Sequence, residues 1–250
     1  SGVTVRRMFR LIAVAMLLAF AMPCEWGSSA TAFAASAAEP LRVVVTLPVL
    51  KDWVQQIGGS YVHVNSLMTG YESEHTYSPK PSDLVAVRKA ALLFEVGAGL
   101  EVWVASLVKN AGNGSLRVVT TSKDIELIQD HPEPAGTSHS HEHAAGNPHV
   151  WLDPAAAATM VQHISDAMAA ADPAHATDYR TNTATYLQAL TRVQDESLAR
   201  LRSLPSRAII VHHPAWPYFA RRYDLHTHTA NWKTGVPMRE SQNASLTAKG

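Results

Sequence analysis

A chain of 250 residues is long enough for one large domain or two modest lobes. Its 21 Lys and Arg balance its 21 Asp and Glu, which argues against a nucleic-acid partner, since that would call for a basic face. Histidine is the outlier, at 13 against a single cysteine, so any metal chemistry here uses imidazole and carboxylate rather than thiolate.

Arg6, Arg7 and Arg10 form a basic start ahead of LIAVAMLLAFAM (11–22), an apolar run too short to span a bilayer as a mature helix. ATAFAASAA (30–38) follows with small residues at the spacing of a signal-peptide cleavage site, which predicts removal of residues 1–38 by cleavage near Ala34 to Ala38. The mature protein is then exported, soluble, periplasmic and free of Cys24. Lipidation of Cys24 is the other reading, and Pro23 before it is a poor match to that signal. No later run is long enough to cross a membrane, and no phosphate-binding G-x-x-x-x-G-K-[ST] loop is present. Transport would therefore need separate permease and ATPase chains.

LRVVVTLP (41–48) reads as a buried strand. Val49, Leu50, Trp53, Val54 and Ile57 then recur at helical spacing until Gly58-Gly59 stops them. YVHVNSL is a second strand, SDLVAVRKA a short helix with Ser82 as its cap, LLFEVG a third strand, LEVWVASLVKNAG a helix and LRVVTTS a fourth strand. Such alternation implies a parallel sheet with helices on its faces. A loop rich in Pro, Gly and His follows at about 131–146. Asp153-Pro154 and Asp172-Pro173 each signal a helix start. The second helix carries Tyr179, Thr183, Tyr186, Leu187, Leu190, Val193, Leu198 and Leu201 on one face until Pro205 ends it. At roughly 30 residues it would span about 45 Å, the length of a small lobe, so it reads as a strut between two lobes. RAIIVHH is a new strand and AWPYFARRY a helix. The expected division is 39–153 for a first α/β lobe, 154–204 for linking helices and 205–250 for a partial second α/β lobe.

On this scaffold His75 follows the second strand, His149 lies at the entry to the Asp153 helix and His213 ends the RAIIVH strand. In open α/β sheets ligands bind outside the carboxyl ends of strands. Gaps of 74 and 64 residues exclude a zinc finger and suit a site assembled between lobes. Zn²⁺ accepts three imidazoles plus a fourth group, which Glu74 or water would supply. Any one of these histidines alone reads better as a loop or cap residue; three at strand edges, each within one of the motifs quoted below, favour ligation. His139, His141 and His143 alternate along a separate segment, suited to weak, exchangeable metal capture. His212 points to the opposite strand face from His213. His63, His163 and His175 are expected to be structural, and Tyr77, Trp151, Trp216 and Tyr218 to pack around the cleft.

GYESEHTYSPKPSDL, LLFEVGAGLEVWVASL, NPHVWLDP and VHHPAWPYFARRYDL, in that order, resemble the metal-binding receptors of bacterial ABC importers, in particular the zinc branch of ZnuA-like proteins. The resemblance covers about Leu41 to Leu225. It implies two α/β lobes joined by a long rigid helix, a monomer with one Zn²⁺ in the cleft, and an ABC permease with its cytoplasmic ATPase as partner. It implies His75, His149 and His213 as ligands, with Glu74 at the acidic position of zinc-type members. Manganese-type members resemble this pattern with a carboxylate where His213 stands. The likeness loosens after Leu225, so the second lobe reads as truncated. A high-affinity zinc receptor that is not an enzyme is thus expected. A manganese or iron receptor of the same fold is the nearest alternative. A three-histidine zinc hydrolase is a more distant one, since no H-E-x-x-H or G-x-S-x-G is present.

Overall fold

The computed structural model describes residues 39–129, 146–211 and 213–229. The expected signal segment, His139, His141, His143 and His212 lie outside the described residues. Four strands, β1 (Leu41–Val45), β2 (Val62–Ser66), β3 (Leu92–Glu95) and β4 (Arg117–Thr120), form one sheet in the order β2-β1-β3-β4. All three pairings are parallel. The alternation of side chains along a strand divides the apolar runs between the faces. Val43, Val45, Leu92 and Phe94 enter one core, and Val44 and Leu93 the other.

The first core lies beneath α1 (Pro48–Gly58), α4 (Pro154–Ala171) and the first half of α5 (Ala176–Arg202). Leu50, Trp53, Val54 and Ile57 of α1 are almost fully buried there, each stabilising by about 1.5–3 kcal/mol relative to exposure. The second core lies beneath α2 (Pro81–Lys89) and α3 (Val104–Ala111). Two expected helix starts move. Ser82 does not cap α2: Pro81 takes the first helical position, and Asp83 Oδ2 accepts the Lys80 N–H at 2.7 Å. The helix expected from Leu100 begins only at Val104. Gly97, Ala98 and Gly99 adopt left-handed backbone, with φ of 83°, 54° and 79°. This turn delivers the Glu101 carboxylate back onto the Val96 and Gly97 N–H groups.

Asp153 caps α4 as expected, its Oδ1 accepting the Ala155 N–H at 3.0 Å. The long helix α5 has 27 residues and spans about 40 Å. It is less amphipathic than its sequence reads: Tyr179 and Thr183 are buried, while Val193 is 59% exposed. Beyond it, β5 (Ala208–Val211), α6 (Pro217–Tyr223) and β6 (His226–Thr229) form a parallel β-α-β unit. The strand β6, HTHT, was not expected from its polar sequence. Ala220, Tyr223 and Leu225 form a third small core with Leu198 and Leu201 from the end of α5. Tyr218 is the exception in α6, since its ring is fully buried in the first core. Among the described residues no helix is long and apolar enough to cross a membrane.

Candidate metal centre

Glu74 and His75 lie in the loop that leaves the carboxyl end of β2. Side chains brace this loop from both ends. Glu72 Oε2 accepts from the Thr69 N–H at 2.9 Å and from the Thr69 hydroxyl at 2.8 Å. The Tyr77 hydroxyl, buried in the second core, lies 2.7 Å from Asp83 Oδ2 and 2.9 Å from the Leu67 carbonyl. The Trp103 indole N–H donates to the Glu74 carbonyl at 3.2 Å.

His149 reaches the same place from a separate segment, buried just ahead of α4. Asn147 settles how its ring is presented. The Asn147 amide nitrogen donates to the Pro214 carbonyl at 2.9 Å, and its Oδ1 accepts the His149 backbone N–H at 3.1 Å. Those two partners fix which end of the amide is oxygen. The same Oδ1 lies 2.9 Å from His149 Nδ1, so Nδ1 carries the proton and Nε2 of the neutral ring turns a lone pair into the site. A ligating histidine is commonly oriented in this way by an outer partner.

His213 comes from the carboxyl end of β5. Its segment is tied back to the His149 segment by the Asn147–Pro214 bond and by a two-pronged ion pair. In that pair Arg222 of α6 donates to Asp153 Oδ1 at 2.7 Å and Oδ2 at 2.8 Å. Asp153 is thus both the cap of α4 and the anchor of α6.

One ligand atom from each of Glu74, His75, His149 and His213 lies within 4.8 Å of all the others. His149 Nε2 is 3.2 Å from His213 Nε2 and 3.5 Å from Glu74 Oε1, and His75 Nε2 is 3.9 Å from that oxygen. Around a tetrahedral ion with bonds of roughly 2.0–2.1 Å, neighbouring ligand atoms stand about 3.4 Å apart, and the observed separations bracket that value. With a proton on His149 Nε2 in place of a metal ion, the hydrogen bond from that ring to Glu74, and then the charge of His75 and His149, hold the Glu74 carboxyl down at about 2. Converging lone pairs on nitrogen and a committed carboxylate repel one another unless a cation stands between them, and a proton or a metal ion can fill that role.

The remaining expected residues are elsewhere. His63 is exposed on β2, His163 Nδ1 lies 2.9 Å from the Thr121 carbonyl, and His175 Nδ1 lies 2.7 Å from Asp172 Oδ2. Trp151 packs 5.3 Å from the His149 ring, and Trp216 packs against Phe219. Asn147 and Arg222 were not singled out in the sequence. Asn147 two residues ahead of a candidate ligand was the available signal; nothing in the sequence paired Arg222 with Asp153.

Residues 43–249 match the family model for the periplasmic component A of zinc-uptake complexes. The chain belongs to this family. Its members are the extracytoplasmic metal-binding components of ABC importers. The zinc-binding protein AdcA of Streptococcus pyogenes is 26% identical over 203 residues, 76% of this chain and 39% of AdcA. The manganese-binding lipoprotein MntA of Halalkalibacterium halodurans is 29% identical over 191 residues, 76% of this chain and 60% of MntA. The chain thus spans less than two thirds of the length of either relative. A crystal structure of ZnuA superposes with a TM-score of 0.72 at 28% identity, over 84% of this chain and 78% of that one. Two α/β units with parallel sheets, linked by a long helix, are the shared architecture.

Proposed function

We propose that this family member is a periplasmic, high-affinity zinc-binding protein that delivers Zn²⁺ to an ABC permease served by a cytoplasmic ATPase. His75, His149, His213 and Glu74 are the ligands in this reading. The observation that carries it is the convergence of three imidazoles and one carboxylate, from three separate segments, within 4.8 Å. Three nitrogen donors suit borderline Zn²⁺ better than Mn²⁺, which prefers oxygen ligands. The manganese-binding relative supports the second reading, a manganese or iron receptor of the same fold. Hydrolase chemistry is disfavoured. Catalytic zinc keeps an open position for water, whereas this cluster offers four protein ligands and uses its carboxylate as one of them. Residues 39–153, 154–204 and 205–250 serve as first lobe, linking helices and second-lobe segment, with the chain acting as a monomer.

Metal titration of the metal-free protein decides the matter. One equivalent of Zn²⁺ is expected to bind tightly, with excess Mn²⁺ failing to displace it. His75→Ala, His149→Ala and His213→Ala each lower Zn²⁺ affinity more than about 100-fold, beyond the range typical of outer partners, whereas His63→Ala and His175→Ala do not. Displacement of Zn²⁺ by Mn²⁺ would give the site to the second reading, and parent-like binding by any of the three ligand variants would remove that residue from the site.

A further inference from the structure

We propose that Tyr218 is a positioning residue for metal capture, acting on His149 through Asn147; this rests on the metal-binding reading above. Three hydrogen bonds form a closed ring. The Tyr218 hydroxyl donates to the Asn147 carbonyl at 2.6 Å, the Asn147 N–H donates to the Ile128 carbonyl at 2.8 Å, and the Ile128 N–H donates back to the Tyr218 hydroxyl at 2.9 Å. The ring holds the backbone of Asn147 from both sides. The turn into it is tight, because Gly146 has φ of 114° and a Cβ there would stand 2.9 Å from the Ile128 carbonyl. With its backbone fixed, Asn147 has its amide aimed at two targets: His149 through Nδ1, and the carbonyl of Pro214 next to His213.

Tyr218 belongs to the same β-α-β unit that supplies His213, yet its ring is fully buried in the first core. It is therefore where the second unit grips the peptide that orients a ligand of the first. Burial fixes the phenol and leaves its hydroxyl no solvent to turn to. A displacement of the Asn147 peptide by a few tenths of an ångström moves the His149 ring relative to His213, and a tetrahedral ion with bonds of roughly 2.0–2.1 Å is sensitive to that scale.

The test compares Tyr218→Phe with Tyr179→Phe. Tyr179 is another fully buried tyrosine, and its hydroxyl donates to Asp172 at 2.6 Å, where α4 passes into α5. Each variant removes one buried hydroxyl and keeps its ring. Tyr218→Phe should lower Zn²⁺ affinity about tenfold, the lower end for loss of an outer partner, chiefly through faster dissociation. It should also broaden or shift the His149 imidazole nitrogen resonances in the metal-free protein. Tyr179→Phe should lose comparable thermal stability and leave both readouts at the parent values. Asn147→Ala keeps the ring of backbone bonds and should match or exceed the affinity loss of Tyr218→Phe. Parent-like affinity in Tyr218→Phe or in Asn147→Ala, or an equal loss in Tyr179→Phe, overturns the coupling while leaving the metal site standing. A parent protein that binds no Zn²⁺ overturns the site and the coupling together.

Discussion

Two glutamates stand beyond the carboxyl ends of the same sheet and behave in opposite ways. Glu74, after β2, faces imidazoles and is held down at about 2. Glu101, after β3, is 5% exposed, and burial pushes it up to about 7. Its carboxylate is well supplied with hydrogen bonds: the Thr46 hydroxyl at 2.7 Å, the Val96 N–H at 2.8 Å and the Gly97 N–H at 2.9 Å. What it lacks is a countercharge, and it has Glu95 nearby instead. Neutral donors satisfy the oxygens of a carboxylate without offsetting the loss of water around its charge. On the proposed metal-binding reading, the difference separates a carboxylate placed to meet a cation from one that braces a turn, though both sit where ligands of such sheets are expected.

The sharpest way to break this contrast is to remove Glu101. Glu101→Ala leaves three donors without their acceptor in the interior, and about 3–5 kcal/mol of folding stability should be lost. Chemical denaturation measures it, and a loss below about 1 kcal/mol would end the bracing role. Glu101→Gln tests the sign of the titration. With a folded value near 7 and an ordinary value of 4.5, the native state retains a proton that the unfolded chain has released. The Glu101 contribution to stability therefore falls as pH rises through that window and is level above it. The metal-free parent should lose stability relative to Glu101→Gln between about pH 4.5 and 7, and parallel pH profiles would contradict this.

Glu74→Gln is the complementary change. It should lower Zn²⁺ affinity about tenfold, or about 1.4 kcal/mol. Unchanged affinity would assign the fourth position to water. The smallest effect is expected from replacing His139, His141 and His143 together with Ala. The tight phase of a calorimetric zinc titration should persist and only a weaker phase disappear; loss of the tight phase would relocate the site to that segment.

Much of this arrangement was legible because it follows from local rules. Unbroken apolar runs such as LRVVV become parallel strands buried on both faces, and the edge rule then puts His75 and His213 beyond strand ends, while His149 is located by the Asp153-Pro154 helix start that follows it. Glu101 was misread because GLEVWVASL has helical spacing from its first residue. The left-handed turn at Gly97–Gly99 and the pull of two backbone N–H groups take Glu101 out of the helix, and spacing does not reveal that. Ser82 lost its capping role to Pro81 and Asp83 beside it. The strand β6 pairs a polar HTHT with β5, so it has none of the apolar alternation by which strands are recognised. Asn147 and Tyr218 act through contacts 67 and 90 residues away along the chain, to Pro214 and Ile128 respectively, and no local pattern encodes such pairs.

The long helix α5 has a practical consequence. Its first half is fastened to the first core through Tyr179 and by the Asn182 amide on the Ile57 carbonyl, and its far end by Leu198 and Leu201 on the third core. Between these moorings Val193 projects into solvent at 59% exposure. A helix supplies its own backbone hydrogen bonds, so this stretch needs no neighbour to keep its form. A cysteine introduced at Val193 gives a fixed survey mark on the beam. A probe attached there, read against a second on α1, would report the distance from the middle of the beam to the first core with and without metal, while touching neither core nor site.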